Sequence, residues 1–332
     1  MNSRGLFVLC AFAALLAYPL VGGKFGVDLV NKIMIYAIFA LSLELLVGGT
    51  GLVCFGQAAF FGIGAYATVL LSPTSEAGSL LVLLLASSLL AGLYALVVGA
   101  LSLRTQGVYF IMVTLAFAQM AYYVVHDTPL GGGTDGIYLN VKPAMGSWLD
   151  LEDSLVMYQF TLALLALTFG FLAVLLRSRF GHALAGIRVN EQRMRATGFS
   201  TYPYKLAAFT VSGTLAGLSG FLFAVKDGFV NPEMMSWHLS GAVLIMIILG
   251  GLGHLRGALI GAFAFALLQE LFKSEAVFGA LAKHWHLGLG LTIIASVALL
   301  PRGLVGVPAQ IRERLLGRSS RRAETSEVQH ER

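Results

Sequence analysis

The sequence predicts an all-α polytopic membrane protein with about ten transmembrane helices, and three observations carry that expectation. The chain has 332 residues and is 57% hydrophobic but only 12% charged. Soluble domains are about a quarter charged, so this chain lacks the polar surface to face water all round. Its mean hydropathy is +0.81. Its charges are clustered, leaving long apolar runs between them, and one bilayer crossing needs about 20 mostly apolar residues.

Taken in order, the runs place spans at 6–22, 29–47, 52–71, 79–101, 107–125, 155–176, 205–225, 238–250, 258–272 and 286–300. Segments 238–250 and 258–272 are short for a full crossing and read as tilted, broken or re-entrant, which sets a range of nine to eleven spans. The first run follows Arg4, has no A-x-A-type cleavage site, and carries Pro19 where a small residue would be wanted. It reads as a retained span rather than a signal peptide. The 39 glycines favour close helix packing in lipid. Cys10 and Cys54 both lie in apolar runs and read as small packing residues, not as a disulfide.

Basic residues mark the cytoplasmic side of short loops. The loop 177–205 carries Arg177, Arg179, Arg188, Arg193, Arg195 and Lys205 against Glu191 alone, and the segment after Pro301 is also arginine-rich. The loop 127–154 is the reverse, with Asp127, Asp135, Asp150, Glu152 and Asp153 against Lys142. Counting ten spans from a cytoplasmic Arg4 puts Arg104, the basic loop, Arg256 and the C-terminal tail inside, and the acidic loop outside. Both termini are therefore expected in the cytoplasm. Residues 1–307 read as one membrane domain and 308–332 as a basic, partly disordered tail. The net charge of +5 thus follows from topology. The basic residues are not interleaved with aromatics, which argues against nucleic acid.

The basic loop is patterned as well as long. Asn190 is a good N-cap, Glu191 suits the first turn of a helix, and Gly198 can close it. A short helix is predicted at about 191–197, with Pro203 delaying the next span. Leu184, Ile187 and Met194 form an apolar stripe that suits a bilayer surface or a groove on a partner. An ordinary positive-inside loop with no partner is the alternative.

The stretch RSRFGHALAGIRVNEQRMRATGF at 177–199 resembles the permease loop of ABC importers, written E-A-A-x-x-x-G. Glu191 and Gly198 match its fixed ends, while Gln192 and Arg193 replace the usual small residues. Further segments at 40–66, 107–120, 131–137, 244–262 and 299–307 resemble, in the family's order, the branched-chain amino-acid permease family, in its LivM-like branch. That resemblance implies half of a transmembrane pore paired with a second, similar permease. It implies two cytoplasmic ATP-binding subunits, an extracytoplasmic solute-binding protein, and residence in a bacterial inner membrane in contact with lipid. It also implies a coupling loop at 177–204, with Arg188, Asn190, Glu191, Gln192, Arg193, Arg195, Ala196 and Gly198 facing the ATPase.

The residues themselves add what is missing. No G-x-x-x-x-G-K-[ST] loop occurs, and Gly22-Gly23-Lys24 lacks its spacing. The seven histidines are scattered, so no catalytic residue, metal or cofactor is expected. Charged groups are almost absent from the spans, which suits weak, transient contacts with a solute. Glu44, where the resembling family usually has Asn, fits either snorkelling or the pathway. Gln57, where the family often has His, and Gly56 fit a broken helix lining the route or plain packing. Gln119 reads first as packing and second as pathway. The glycines at 250–257 read as a tight turn, with a re-entrant break as the alternative. The Gly131–Gly136 loop reads as an adaptable external turn. Branched-chain or related amino acids are the expected cargo. Urea, short amides and aromatic carboxylates fit the same resemblance, and an ion-coupled secondary transporter is a reading from another class.

Overall fold

The computed structural model of the chain describes residues 3–73, 77–144, 151–300 and 303–307. The tail 308–332, and the disorder expected there, lie outside the described residues. The fold is all-α, with thirteen helices among the described residues. They are α1 (Ser3–Val21), α2 (Lys24–Glu44), α3 (Gln57–Leu71), α4 (Leu80–Ser102), α5 (Val108–Asp127), α6 (Ser154–Arg177), α7 (Arg179–Val189), α8 (Glu191–Ala196), α9 (Thr201–Asp227), α10 (Trp237–Gly250), α11 (Leu255–Lys273), α12 (Glu275–Phe278) and α13 (Trp285–Leu299). One two-residue antiparallel pair accompanies them, β1 (Ile137–Tyr138) with β2 (Phe229–Val230).

A helix stands at each of the ten expected spans. Six of the helical stretches are long and apolar enough to cross a membrane: Lys24–Thr50, Leu80–Ser102, Val108–Asp127, Ser154–Arg177, Thr201–Asp227 and Leu255–Lys273. The chain is a polytopic membrane protein. Segment 258–272 thus belongs to a full-length helix, α11, whereas α10 is short.

Three boundaries differ from expectation for identifiable reasons. First, α2 continues as a π-helix over Leu45–Thr50 and stops at Gly51, whose φ is 77°. Second, the span expected at 52–71 becomes helical only at Gln57, because residues 51–56 fold back into the bundle. Phe55 N–H there donates to Thr114 Oγ1 at 3.4 Å. Third, α9 begins at Thr201, before Pro203. In the first helical turn the N–H that proline lacks would have no partner anyway, so the residue does not delay the helix.

Burial sorts the long helices into a centre and a periphery. The Lys24–Thr50 and α9 windows are 83% and 78% buried, against 39% for α4, 28% for α6 and α11 and 17% for α5. Small residues let the centre close up. A Cβ on Gly64 would collide with the Gly217 backbone, and one on Gly220 with the carbonyl of Phe61. Gly213 and Gly217, four apart on α9, meet Ala95 and Ala91 of α4. Close backbone approach of this kind drives helix association where lipid removes the hydrophobic effect.

The two ends of the bundle gather different loops. At one end, Lys226 Nζ on α9 lies 2.9 Å from Asp28 of α2 and β1 pairs with β2. There too Ser79 bridges Ala144, and Tyr158 O–H donates to Leu15 O at 2.6 Å. At the other end, Arg188 Nη1 donates to Gly48 O and Tyr202 O–H donates to Ala100 O. This division is the one that ten alternating crossings require.

The short helices α3 and α10 explain the breaks. Ala58 N–H, at the start of α3, donates to Ser240 Oγ, near the start of α10, at 3.0 Å. At 1.5 Å per residue the start of α3 lies roughly 20 Å below its far end. Both helices therefore begin deep in the bundle. The segment through Pro232–Met235 reaches that depth from the first end, with Met235 fully buried against Gly62. Irregular backbone at such depth is tolerated where protein surrounds it.

Candidate functional site

The α7–α8 loop is built from local rules. Ser178 caps α7 by accepting from Gly181 N–H, and Asn190 caps α8, its Oδ1 accepting from Arg193 N–H at 2.9 Å. At the other end Gly198 N–H donates to Arg195 O at 2.9 Å and Phe199 N–H donates to Met194 O at 3.1 Å. These paired bonds form a Schellman stop, which requires the φ of 83° that Gly198 adopts.

The side chains then divide into two sets. Glu191 turns inward: its Oε1 lies 2.8 Å from Lys205 Nζ and 2.6 Å from Arg195 Nη2, and accepts from Thr201 Oγ1 at 2.9 Å. Lys205 is 3% exposed, so Glu191 staples α8 to the first turns of α9. Partial burial pushes the Glu191 carboxyl up, but the Lys205 and Thr201 hydrogen bonds and the Lys205 charge outweigh this and hold it below the usual carboxylate range. Asn190, Gln192, Arg193, Arg195, Ala196 and Gly198 remain exposed. Of these, Gln192, Arg193 and Ala196 make up the free outer face of the knob.

The apolar stripe is corrected. Leu184 and Ile187 are 0% and 4% exposed within the bundle, and Met194 packs against Gly186. The stripe roots the loop in its own chain and is closed to a bilayer surface or a partner's groove. The sequence does not mark Thr201 and Lys205 as site residues, because the pairing of Lys205 and Thr201 with Glu191 is not visible from spacing.

Arg188 points away from the outer face, donating to Gly48 O. Glu44, 2% exposed, packs against Gly48 beside Gly253 and near Arg188, with its Oε2 left without a partner. The 250–257 glycines therefore form a turn between α10 and α11.

Gln57 is fully buried, its Nε2 donating to Ser42 Oγ at 2.8 Å and Ser212 Oγ at 3.0 Å. Its Oε1 has no partner. Gly56 is buried against the carbonyl of Thr114, with no room for a Cβ. Gln119 sits apart from these, on α5, in an open groove of about 590 Å³ with Ala116, Met120, Tyr123, Val124 and Asp127. The four residues expected along the pathway thus fall into three separate places. Among the described residues no group of three His, Cys, Asp or Glu could hold a metal ion.

Comparison with known proteins agrees with this architecture. Residues 26–297 match the family described as branched-chain amino acid transport system / permease component. The high-affinity branched-chain amino acid transport system permease protein LivM of Salmonella typhimurium is 30% identical over 323 residues, covering 90% of this chain and 74% of that protein. LivM of Escherichia coli K12 matches to the same extent. The autoinducer 2 import system permease protein LsrC of Photorhabdus laumondii is 29% identical over 148 residues, covering 40% of this chain and 44% of that protein. No solved structure matches. With six long and three shorter apolar helices among the described residues, a capped loop helix and a match over most of its length, the chain belongs to the family of branched-chain amino acid transport system permeases.

Proposed function

We propose that this chain is the permease subunit of an ATP-driven importer that carries branched-chain or related amino acids, and that α8 is where the ATPase engages it. The observation that carries the reading is the form of α8: a helix of six residues, capped at both ends, stapled to α9, with Gln192, Arg193 and Ala196 left free. A loop without a partner gains nothing from such stiffening. The basic α7–α8 end lies in the cytoplasm by the positive-inside rule. Two ATP-binding subunits act there, and an extracytoplasmic binding protein delivers cargo at the acidic end. The chain itself supplies no catalytic group.

The solute pathway follows the exposed face of α5, which a second, similar permease closes. The outer face of α4 is made of Leu85, Leu89, Leu93 and Val97, which suits lipid. That of α5 carries Met112, Ala116 and Tyr123 with half-buried Gln119 beside them, and Val108, Met120 and Val124 are exposed as well. With no fixed charge among these residues, the face offers a zwitterion contacts weak enough to leave. Glu44, Gly56 and Gln57 support the wall from within the subunit. Relatives that import autoinducer 2 favour a second reading, in which the cargo is another small polar solute delivered by its own binding protein.

The test is reconstitution of the full complex in vesicles with the binding protein loaded in turn with leucine, valine and non-amino-acid solutes. ATP-dependent uptake of the branched-chain amino acids supports the first reading, and uptake only of another solute supports the second. Uptake by this chain alone, driven by an ion gradient, contradicts both.

A further inference from the structure

Four backbone features meet at one point beneath the coupling knob. The π-helix Leu45–Thr50 ends α2, the turn Gly251–His254 joins α10 to α11, α7 ends at Val189, and α8 begins two residues later. Arg188, at the last turn of α7, reaches across to donate to Gly48 O. A carbonyl in the final turn of a helix has no helical partner, and a cation there also meets the negative end of the dipole. Glu44, one turn earlier, sets its carboxyl against Gly48 and beside Gly253, just before α11 begins.

The packing leaves no slack. A Cβ on Gly48 would overlap the Glu44 carboxylate and crowd Gly253 Cα. One on Gly253 would stand 3.3 Å from Arg188 Nη1, and one on Gly51 would stand 3.4 Å from Arg188 Cγ. Gly251 and Gly253 hold φ values of 118° and 83°, which side-chain-bearing residues rarely adopt. The node therefore ties the knob to the places where the bundle is irregular. One is the π-helical end of α2, which leads through 51–56 to the deep start of α3. The other is the far end of α10, whose deep start touches α3 at Ala58. π-Helical turns mark functional sites and hinges in helices.

We propose that Arg188 is a positioning residue for energy coupling, carrying displacement of α8 to the π-helical end of α2 and to the α10–α11 turn. The two broken helices then shift together at mid-membrane. The inference rests on the function proposed above. It adds that the knob is wired through one guanidinium to α2 and α10, in addition to its Glu191 staple on α9. The Glu44 carboxyl, packed beside Gly48 and Gly253, keeps the turn within reach of that guanidinium.

The experiment uses the complete complex in vesicles. With Arg188→Ala, the ATPase subunits still co-purify with the permease, but ATP hydrolysed per solute imported rises by about tenfold. With Arg188→Lys, which keeps the charge and loses the fork, the rise is smaller. In parallel, spin labels on Gln192 and on Leu252, both exposed, report the distance from knob to turn across the nucleotide cycle. It stays fixed with Arg188 present and varies by about 5 Å in Arg188→Ala. An unchanged ATP-to-solute ratio in Arg188→Ala overturns the proposal, as does a label distance that already varies with Arg188 in place. Should Arg188→Ala fail to assemble, the label distance with Arg188 present decides alone. Absence of any ATPase from the purified complex overturns the underlying function instead, and the wiring with it.

Discussion

Glu191 has two duties that spacing alone does not separate. It begins α8, where its charge suits the dipole, and it neutralises Lys205, which is buried. Removing one member of a buried pair leaves an uncompensated charge and costs about 3 kcal/mol or more. Because Glu191 is a quarter exposed, solvent screening reduces that figure here. Glu191→Ala is therefore expected to free α8 from α9 and abolish coupled uptake. Glu191→Gln keeps an oxygen to accept the bonds but leaves the Lys205 charge uncompensated, so only part of the coupled uptake is retained. Uptake and ATPase rates in the assembled complex check both.

The staple also has a pH signature. The Glu191 carboxyl is held below its ordinary value of 4.5, so its contribution is complete above that value and is lost only as pH falls through the lowered one. A spin label on Gln192 should stay immobile from neutral pH down to about that value and loosen only in stronger acid. Loosening between pH 6 and 7 would contradict the pairing.

At the scale of elements, α8 depends on both caps. Asn190→Ala removes the bond to Arg193 N–H and is expected to cost about 1 kcal/mol. Gly198→Ala forces a side chain into the left-handed region at a cost of about 1 kcal/mol or more. Hydrogen exchange across 190–199 should rise in each variant, with the α9 amides unaffected. The α5 assignment is tested by thiol labelling in the complex, with Cys10 and Cys54 first replaced. A cysteine at Gln119 should react with a water-soluble reagent, and one at Leu93 on α4 should not. Equal silence at both positions would place α5 against lipid.

Elements were legible in the sequence where hydrophobic length or a cap defines them. The ten runs and the Asn190–Gly198 helix are of that kind. What escaped were features set by partners far along the chain. The start of α3 at Gln57 depends on contacts with Thr114 and Ser240, which no local pattern announces. The inward turn of Glu191, Arg188 and Leu184 likewise depends on Lys205, Gly48 and the bundle core. The α7–α8 loop reads as a solvated face because its charges are visible locally, while the groups that bury them lie elsewhere in the sequence.

Across the whole molecule, a stiff inner pair made of α2 and α9 is surrounded by more exposed helices, and a rigid knob projects from one end. The two short helices meet at mid-depth inside this frame. Under the coupling proposed above, force applied at the knob reaches the membrane interior through these helices.

The most direct test of the account is a photo-reactive residue at Arg193, on the free face of α8, activated in intact cells that express the whole importer. The account predicts a crosslinked product between this chain and the ATP-binding subunit, its yield changing with nucleotide state. A product with the extracytoplasmic binding protein, or none with any ATPase, would contradict it.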